Sequence, residues 1–294
     1  MTKQTLPATW CCGRFLFDFS KRKKPLVMGI LNATPDSFSD GGKFRTVSDA
    51  VAQAEHMIAA GVDLIDIGGE STRPGAEPVS LQEELDRVLP VIEALKDCGT
   101  ALSIDTYKAE TMRQALQAGV DCVNDIWALR QAGAVDAVIE HEESKQAGTK
   151  QAPCGIILMH MQRDPQTMQF DPHYEDVIAQ VMLFLQERAE LLKEKGIAPN
   201  RIAIDPGFGF GKSLEHNLSM LAHFERFSEL GHAVLAGISR KSMLGKLTGR
   251  DTNERVAPSI AAAILAADRG ARIIRVHDVQ ETVDALKIWE AVQV

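Results

Sequence analysis

The chain has 294 residues, of which 24% are charged, with 40 acidic against 32 basic side chains and a formal charge of −8. That balance, without a basic stripe, excludes bulk electrostatic binding of nucleic acid, and no early apolar run is long enough for a signal peptide or membrane span. Five cysteines, an odd number with no Cys-x-x-Cys pair, predict reduced thiols in a cytoplasmic protein rather than a disulfide framework or a zinc site.

Residues 1–24 come first. Arg14-Phe-Leu-Phe-Asp-Phe-Ser20 alternates like a strand and predicts a hairpin that plugs the lower end of whatever follows, with Lys21-Arg-Lys-Lys24 as a solvated turn. The apolar run from Pro25 to Leu31 stops at Asn32 and gives way to a hydroxyl-rich loop, Asn32-Ala-Thr-Pro-Asp-Ser-Phe-Ser-Asp-Gly-Gly42. Runs of that length read as buried strands of a parallel sheet.

The same grammar recurs seven times. Asp63-Leu-Ile-Asp-Ile67 runs into Gly68-Gly-Glu-Ser-Thr-Arg-Pro-Gly-Ala76, Ala101-Leu-Ser-Ile104 into Asp105, and Val120-Asp-Cys-Val123 into Asn124-Asp125. Gly155-Ile-Ile-Leu158 leads to Met159-His160-Met161, and Arg201-Ile-Ala-Ile204 to Asp205-Pro-Gly-Phe-Gly-Phe-Gly-Lys212. Ala233-Val-Leu-Ala236 leads to Gly237-Ile-Ser-Arg-Lys-Ser242, and Ala271-Arg-Ile-Ile274 to Arg275-Val-His-Asp278.

Helical stretches separate these runs. They are predicted over residues 47–60, 80–98 (opened by the capping-box spacing Ser80-Leu-Gln-Glu83), 107–118, 171–195, 213–230, 255–269 and 279–292. Residues 130–154 give a weaker signal, with 140–151 read as a polar surface excursion. Eight strand–helix repeats predict a single α/β domain over residues 1–294, a (β/α)8 TIM barrel with an N-terminal β-hairpin. A doubly wound sheet is the second choice.

Active sites of such barrels lie at the C-terminal ends of the strands. Asn32, Asp66, Thr72, Arg73, Asp105, Asn124, Asp205, Lys241, Arg275 and His277 would gather there, although loop polarity alone explains part of that convergence. Arg275 and His277, two apart, point to one face. Gly207-Phe-Gly-Phe-Gly-Lys-Ser213 nearly fits a P-loop, but the required first glycine falls on Pro206, and a strand-end loop is the better reading. His160 has no second metal ligand at helical spacing and reads as a packed or hydrogen-bonded histidine.

The quoted loops, in this order and from Leu26 to Asp278, resemble the dihydropteroate synthase family. The pair formed by Asn-Ala-Thr-Pro-Asp-Ser-Phe-Ser at 32–39 and Gly-Gly-Glu-Ser-Thr-Arg-Pro-Gly at 68–75 is its most specific mark. The resemblance implies condensation of 6-hydroxymethyl-7,8-dihydropterin pyrophosphate with p-aminobenzoate, giving 7,8-dihydropteroate and pyrophosphate for folate synthesis. It implies that Asp105, Asn124, Asp205 and Lys241 read the pterin edge, with Met159 and Phe210 also binding substrate. Arg275, His277 and Asn32 would meet the pyrophosphate, with Asn32 on a Mg²⁺ ion. Ser242, Phe38, Thr72, Arg73 and Pro74 would hold p-aminobenzoate, with sulfonamides as competitors.

Catalytic roles are expected for Asp105, Lys241, Arg275, His277 and Asp66, with Asp36 and Asp66 as candidates for loop closure or cation stabilisation. The loops at 32–44 and 68–79 are expected to order over the reacting pterin. A cytoplasmic homodimer without nucleic-acid or membrane partners completes the picture. Two alternatives remain: a pterin-dependent methyltransferase, which should lack the two marker loops, and a non-catalytic pterin-binding paralogue, which should have lost Lys241, Asp205 or the Arg275/His277 pair. Trp127 departs from the family pattern, which commonly has a smaller or polar residue there.

Overall fold

The structure, a computed structural model, describes residues 7–33, 47–71, 77–143 and 152–293. Two short strands, β1 (Thr9–Cys12) and β2 (Phe15–Asp18), pair antiparallel. Every later strand leaves through helix, and a crossover of that kind returns the chain parallel to its predecessor. These strands are β3 (Leu26–Asn32), β4 (Leu64–Gly68), β5 (Ala101–Asp105), β6 (Cys122–Asp125), β7 (Gly155–Met159), β8 (Ile202–Asp205), β9 (Ala233–Ala236) and β10 (Ile273–Val276). They close a barrel in chain order, with β10 pairing back onto β3. The predicted (β/α)8 barrel with its N-terminal hairpin is what forms.

Alternate strand residues face inward. Near the N-terminal ends those positions are apolar: Leu26, Met28, Leu64, Ala101, Ile157 and Leu235 belong to one buried cluster that Trp10, Cys12 and Phe19 complete. Trp10 Nε1 donates to the Arg201 carbonyl at 3.0 Å, and Arg14 pairs with Asp121 at 2.8 Å. These contacts seat the hairpin against the lower ends of the barrel strands. Outward strand residues, Val27, Ile65, Leu102, Ile156 and Ile204 among them, pack in the larger cluster beneath the helices.

Those helices are α1 (Val47–Ala60), α2 (Leu81–Leu95), α3 (Ala109–Ala118), α4 (Ala134–Glu143), α5 (Val177–Glu194), α6 (Leu214–Ala222), α7 (Ser242–Thr248), α8 (Val256–Asp268) and α9 (Val279–Val292). Ser80 caps α2 by accepting from the Glu83 amide at 3.2 Å, one half of the expected box. No described helix is long and apolar enough to cross a membrane.

Three helical expectations need correction. The stretch at 171–195 becomes helical only at Val177. Pro172 disfavours a right-handed helical conformation at Asp171, whose φ is 46°, and the Asp176 carboxylate caps the amides of Ile178 and Ala179 at 3.0 Å. The stretch at 213–230 breaks at His223 and continues as a 3-10 segment, Phe224–Leu230. The polar excursion begins later than residue 140, because α4 runs to Glu143. Glu140 pairs with Arg113 at 2.7 Å and Glu142 with Arg201 at 2.5 Å, so these two glutamates tie the helix to the barrel wall. Residues 144–151 lie outside the described residues.

Candidate active site

Strand register sets the polar ends side by side. Asn32 pairs with Gly68, Gly68 with Asp105, and Asp105 with Asn124; further round, Met159 pairs with Asp205. Across this floor lies Arg275. Its Nε donates to Asp66 at 2.6 Å and its Nη2 to Asp105 at 2.7 Å, while Asn124 Nδ2 donates to the same Asp66 oxygen at 3.0 Å.

One guanidinium thus serves two carboxylates. Their remaining oxygens, Oδ1 of Asp66 and of Asp105, are buried with no hydrogen-bond partner among the described residues. Burial pushes the Asp105 carboxyl up to about 7, against the pull of Arg275 and with help from the Asp66 charge. For Arg275, burial works against the cation, but Asp66 and Asp105 outweigh it and raise its pKa. A buried acceptor left without a partner costs about 1–3 kcal/mol. Two such oxygens on one floor are a template for ligand donors.

The turn after β8 builds one wall. Asp205 is buried, accepts from the Gly207 amide at 2.7 Å, and has its pKa raised by burial. Gly207 has φ 72°, and a Cβ there would lie 2.0 Å from the His160 carbonyl oxygen, so only glycine fits. Lys212 is turned into the loop. Its Nζ donates to the carbonyls of Gly207 at 2.9 Å and Phe210 at 3.0 Å, and sits 2.9 Å from His160 Nδ1. The near-P-loop is therefore a self-bonded strand-end turn. Burial pushes the His160 pKa down to about 2, with the Lys212 charge adding to the effect. His160 is a neutral, hydrogen-bonded partner, as read from the sequence.

Phe210, held by this turn, lies 4.1 Å from Lys241 Nζ, a cation–π contact. It also joins Ile126, Met159, Met161 and Met168 in a small apolar cluster flanked by Tyr107 and Trp127. A carboxylate floor beside a wall of sulfur and aromatic groups suits a flat ring with a polar edge.

Next to this wall, the loops after β9 and β10 are tied together. His277 Nδ1 lies 3.0 Å from Ser239 Oγ, and Arg240 Nε donates to Asp278 at 3.1 Å. Ser242 opens α7 as expected and is exposed. Asn32 closes β3, half-buried, beside Gly68.

The strand-end residues Asn32, Asp66, Asp105, Asn124, Asp205, Arg275 and His277 therefore gather at one mouth, with Met159, Phe210 and Lys241. Phe38, Thr72, Arg73, Pro74 and Asp36 lie outside the described residues. The sequence reading missed Ile126, Lys212 and Ser239. Ile126 directly follows Asn124-Asp125 and could have been found; nothing in the pattern shows which way Lys212 and Ser239 turn.

A barrel with this floor and wall is the framework of an enzyme for a flat heterocycle. The family model described as pterin binding enzyme matches residues 28–277. A dihydropteroate synthase of Neisseria meningitidis serogroup C is 47% identical over 286 residues, 96% of each chain. The Burkholderia cenocepacia dihydropteroate synthase, solved in complex with 7,8-dihydropteroate, superposes with a TM-score of 0.86 at 50% identity, covering 98% of this chain and 97% of that one. The Yersinia pestis dihydropteroate synthase, solved with a sulfonamide drug, gives a TM-score of 0.88 at 45% identity, covering 97% and 99%. The chain belongs to the pterin-binding enzyme family, among the dihydropteroate synthases.

Proposed function

We propose that the barrel mouth condenses 6-hydroxymethyl-7,8-dihydropterin pyrophosphate with p-aminobenzoate, releasing pyrophosphate and forming 7,8-dihydropteroate. The observation that carries the reading is the pair of unpartnered buried oxygens on Asp66 and Asp105, bridged by Arg275. Donors on the edge of a dihydropterin would satisfy the Asp105 oxygen, and the developing cation would offset the charge of Asp66 beneath it. Asp105, Asn124 and Asp205 take that edge, Lys241 reaches the ring carbonyl and N5 side, and Met159, Ile126 and Phe210 line the ring's faces.

The reacting bond joins the pterin methylene to the pyrophosphate oxygen. Its electron pair leaves with pyrophosphate, and Arg275 and His277 donate to the charge that develops there. The electron-rich ring supports the methylene cation, in a dissociative, SN1-like step. The amine of p-aminobenzoate is neutral at pH 7, attacks with its own lone pair, and then releases a proton, so no strong general base is needed. Asp66, fully buried beneath the ring site, holds Arg275 and offers negative charge to the cation.

The chain's residues fit a Mg²⁺ ion. Gly68 leaves a hollow where a Cβ would stand 3.9 Å from Asn32 Oδ1 and 4.0 Å from Asp105 Oδ2. Among the described residues no group of three or more His, Cys, Asp or Glu could hold a metal, and one carboxamide oxygen suits an ion that keeps waters and substrate phosphates. Asn32 would hold it. When bound, the ion neutralises charge on the departing pyrophosphate.

Ser242 with Phe38, Thr72, Arg73 and Pro74 takes p-aminobenzoate, and sulfonamides compete there; the Yersinia relative solved with a sulfonamide supports this. A cytoplasmic homodimer belongs to the same reading. The methyltransferase and non-catalytic alternatives are disfavoured by the marker loops and by Lys241, Asp205, Arg275 and His277 all being present.

The dissociative step is tested by positional isotope exchange. With ¹⁸O in the bridging position of the pterin pyrophosphate and p-aminobenzoate withheld, the label should scramble into non-bridging positions on the enzyme. Turnover without any scrambling would argue for concerted displacement instead.

A further inference from the structure

A single buried hydroxyl joins the two loops that carry the cations of the site. Ser239 Oγ accepts from the His277 backbone N–H at 3.2 Å and lies 3.0 Å from His277 Nδ1. Ser239 is 7% exposed, and its Oγ meets no other polar partner among the described residues. A serine hydroxyl carries one proton and two lone pairs. One lone pair takes the backbone N–H, and the acceptor within reach of the proton is Nδ1. A neutral imidazole that accepts at Nδ1 carries its own proton on Nε2.

We infer that Ser239 is a positioning residue for the leaving-group site, fixing His277 as the Nε2–H tautomer so that the ring edge away from Ser239 is a donor to pyrophosphate. The alternative tautomer would present a lone pair to an anion and repel it. Control of a histidine by the partner of its other nitrogen is a general device. The inference rests on the leaving-group role proposed above for His277.

Ser239 does not depend on its own hydroxyl for its place. Arg240, the next residue, has φ 57°, its amide donates to Ser259 Oγ at 2.9 Å, and its guanidinium donates to the Asp278 carboxylate. The Ser239–His277 and Arg240–Asp278 contacts are therefore two adjacent ties between the same loops, and the second persists when the first is cut. Lys241 follows immediately, so these ties also locate the ammonium that lies over Phe210. Loss of the Ser239 hydroxyl should change the tautomer and leave the loop in place.

The test is a long-range ¹⁵N–¹H correlation on the full chain labelled at its 8 histidines, with the His277 signals identified by their loss in His277→Gln. Without ligand, His277 should show a pyridine-type Nδ1 and a pyrrole-type Nε2, and pyrophosphate with Mg²⁺ should move the Nε2 signal. In Ser239→Ala that pattern should be lost and the dissociation constant for pyrophosphate should rise about tenfold, the cost of one misplaced donor to a charged group. Ser239→Thr, which keeps the hydroxyl, should restore both. A proton on Nδ1 in the wild type, or an unchanged pattern in Ser239→Ala, overturns the inference. If the tautomer follows Ser239 but pyrophosphate moves no His277 signal, the leaving-group reading falls and the tautomer control stands.

Discussion

Asp105 stands where burial, a shared guanidinium and a neighbouring carboxylate meet. Burial raises its pKa from the usual carboxylate range to about 7, so the folded chain keeps a proton that the unfolded chain has released. That contribution to stability is complete below about pH 4 and is lost as the pH rises through about 7. Asp105→Asn does not titrate. Urea midpoints should therefore show the variant gaining on the wild type between about pH 4 and 7. Its kcat/KM should fall about a hundredfold, since two charge-assisted contacts of about 1.5 kcal/mol each are lost or weakened. A variant that loses ground to the wild type as the pH rises would contradict the burial argument.

What the sequence made legible at this scale follows from strand geometry. Asp66 and Gly68, or Arg275 and His277, share a face because side chains alternate, so naming the strand names the inward residues. Ser239 and Lys212 lie in turns with positive φ at Arg240, Gly207, Gly209 and Gly211. There no repeating period tells which way a side chain turns.

Among the elements, the turn from Asp205 to Ser213 shows how a loop is made rigid. Lys212 supplies the donors that the turned-in carbonyls of Gly207 and Phe210 require, and those contacts place Phe210 beneath Lys241. Burial lowers the Lys212 pKa to about 7, a shift that Asp205 opposes and the Lys241 charge reinforces. Lys212→Met takes the ammonium from the buried carbonyls of Phe210 and His160 and from the His160 ring nitrogen, while the Gly207 carbonyl keeps only the Phe210 amide, at 3.2 Å. Chemical denaturation should register about 3 kcal/mol or more of lost stability. Steady-state kinetics should show the KM for the pterin substrate rising well beyond any change in the KM for p-aminobenzoate. Equal changes in both would mean that the turn does not shape the pterin wall.

The elements themselves were readable because apolar runs and glycine stops punctuate the chain. The errors fell where a cap or a break overrode periodicity, at Asp176 and His223, and where polar helix residues such as Glu140 and Glu142 resembled a loop.

The whole molecule divides its labour along the barrel axis. At the lower end Trp10, Cys12 and Phe19 pack with small and branched inward residues, and toward the mouth the inward positions become Asp66, Asp105, Asn124 and Asp205. The polar floor costs stability, which the apolar layers beneath and around it offset. That gradient places the chemistry at one end and the rigidity at the other.

The central claim is that this floor holds a dihydropterin while its pyrophosphate departs. The most direct measurement is pyrophosphate release from the dihydropterin substrate, with and without p-aminobenzoate and Mg²⁺, in the wild type, Asp105→Asn and Lys241→Ala. Release coupled to dihydropteroate in the wild type, cut about a hundredfold in Asp105→Asn and lost in Lys241→Ala, is the predicted result. Pterin binding with no product under any condition would contradict the claim and mark the chain as a binding protein on an enzyme's framework.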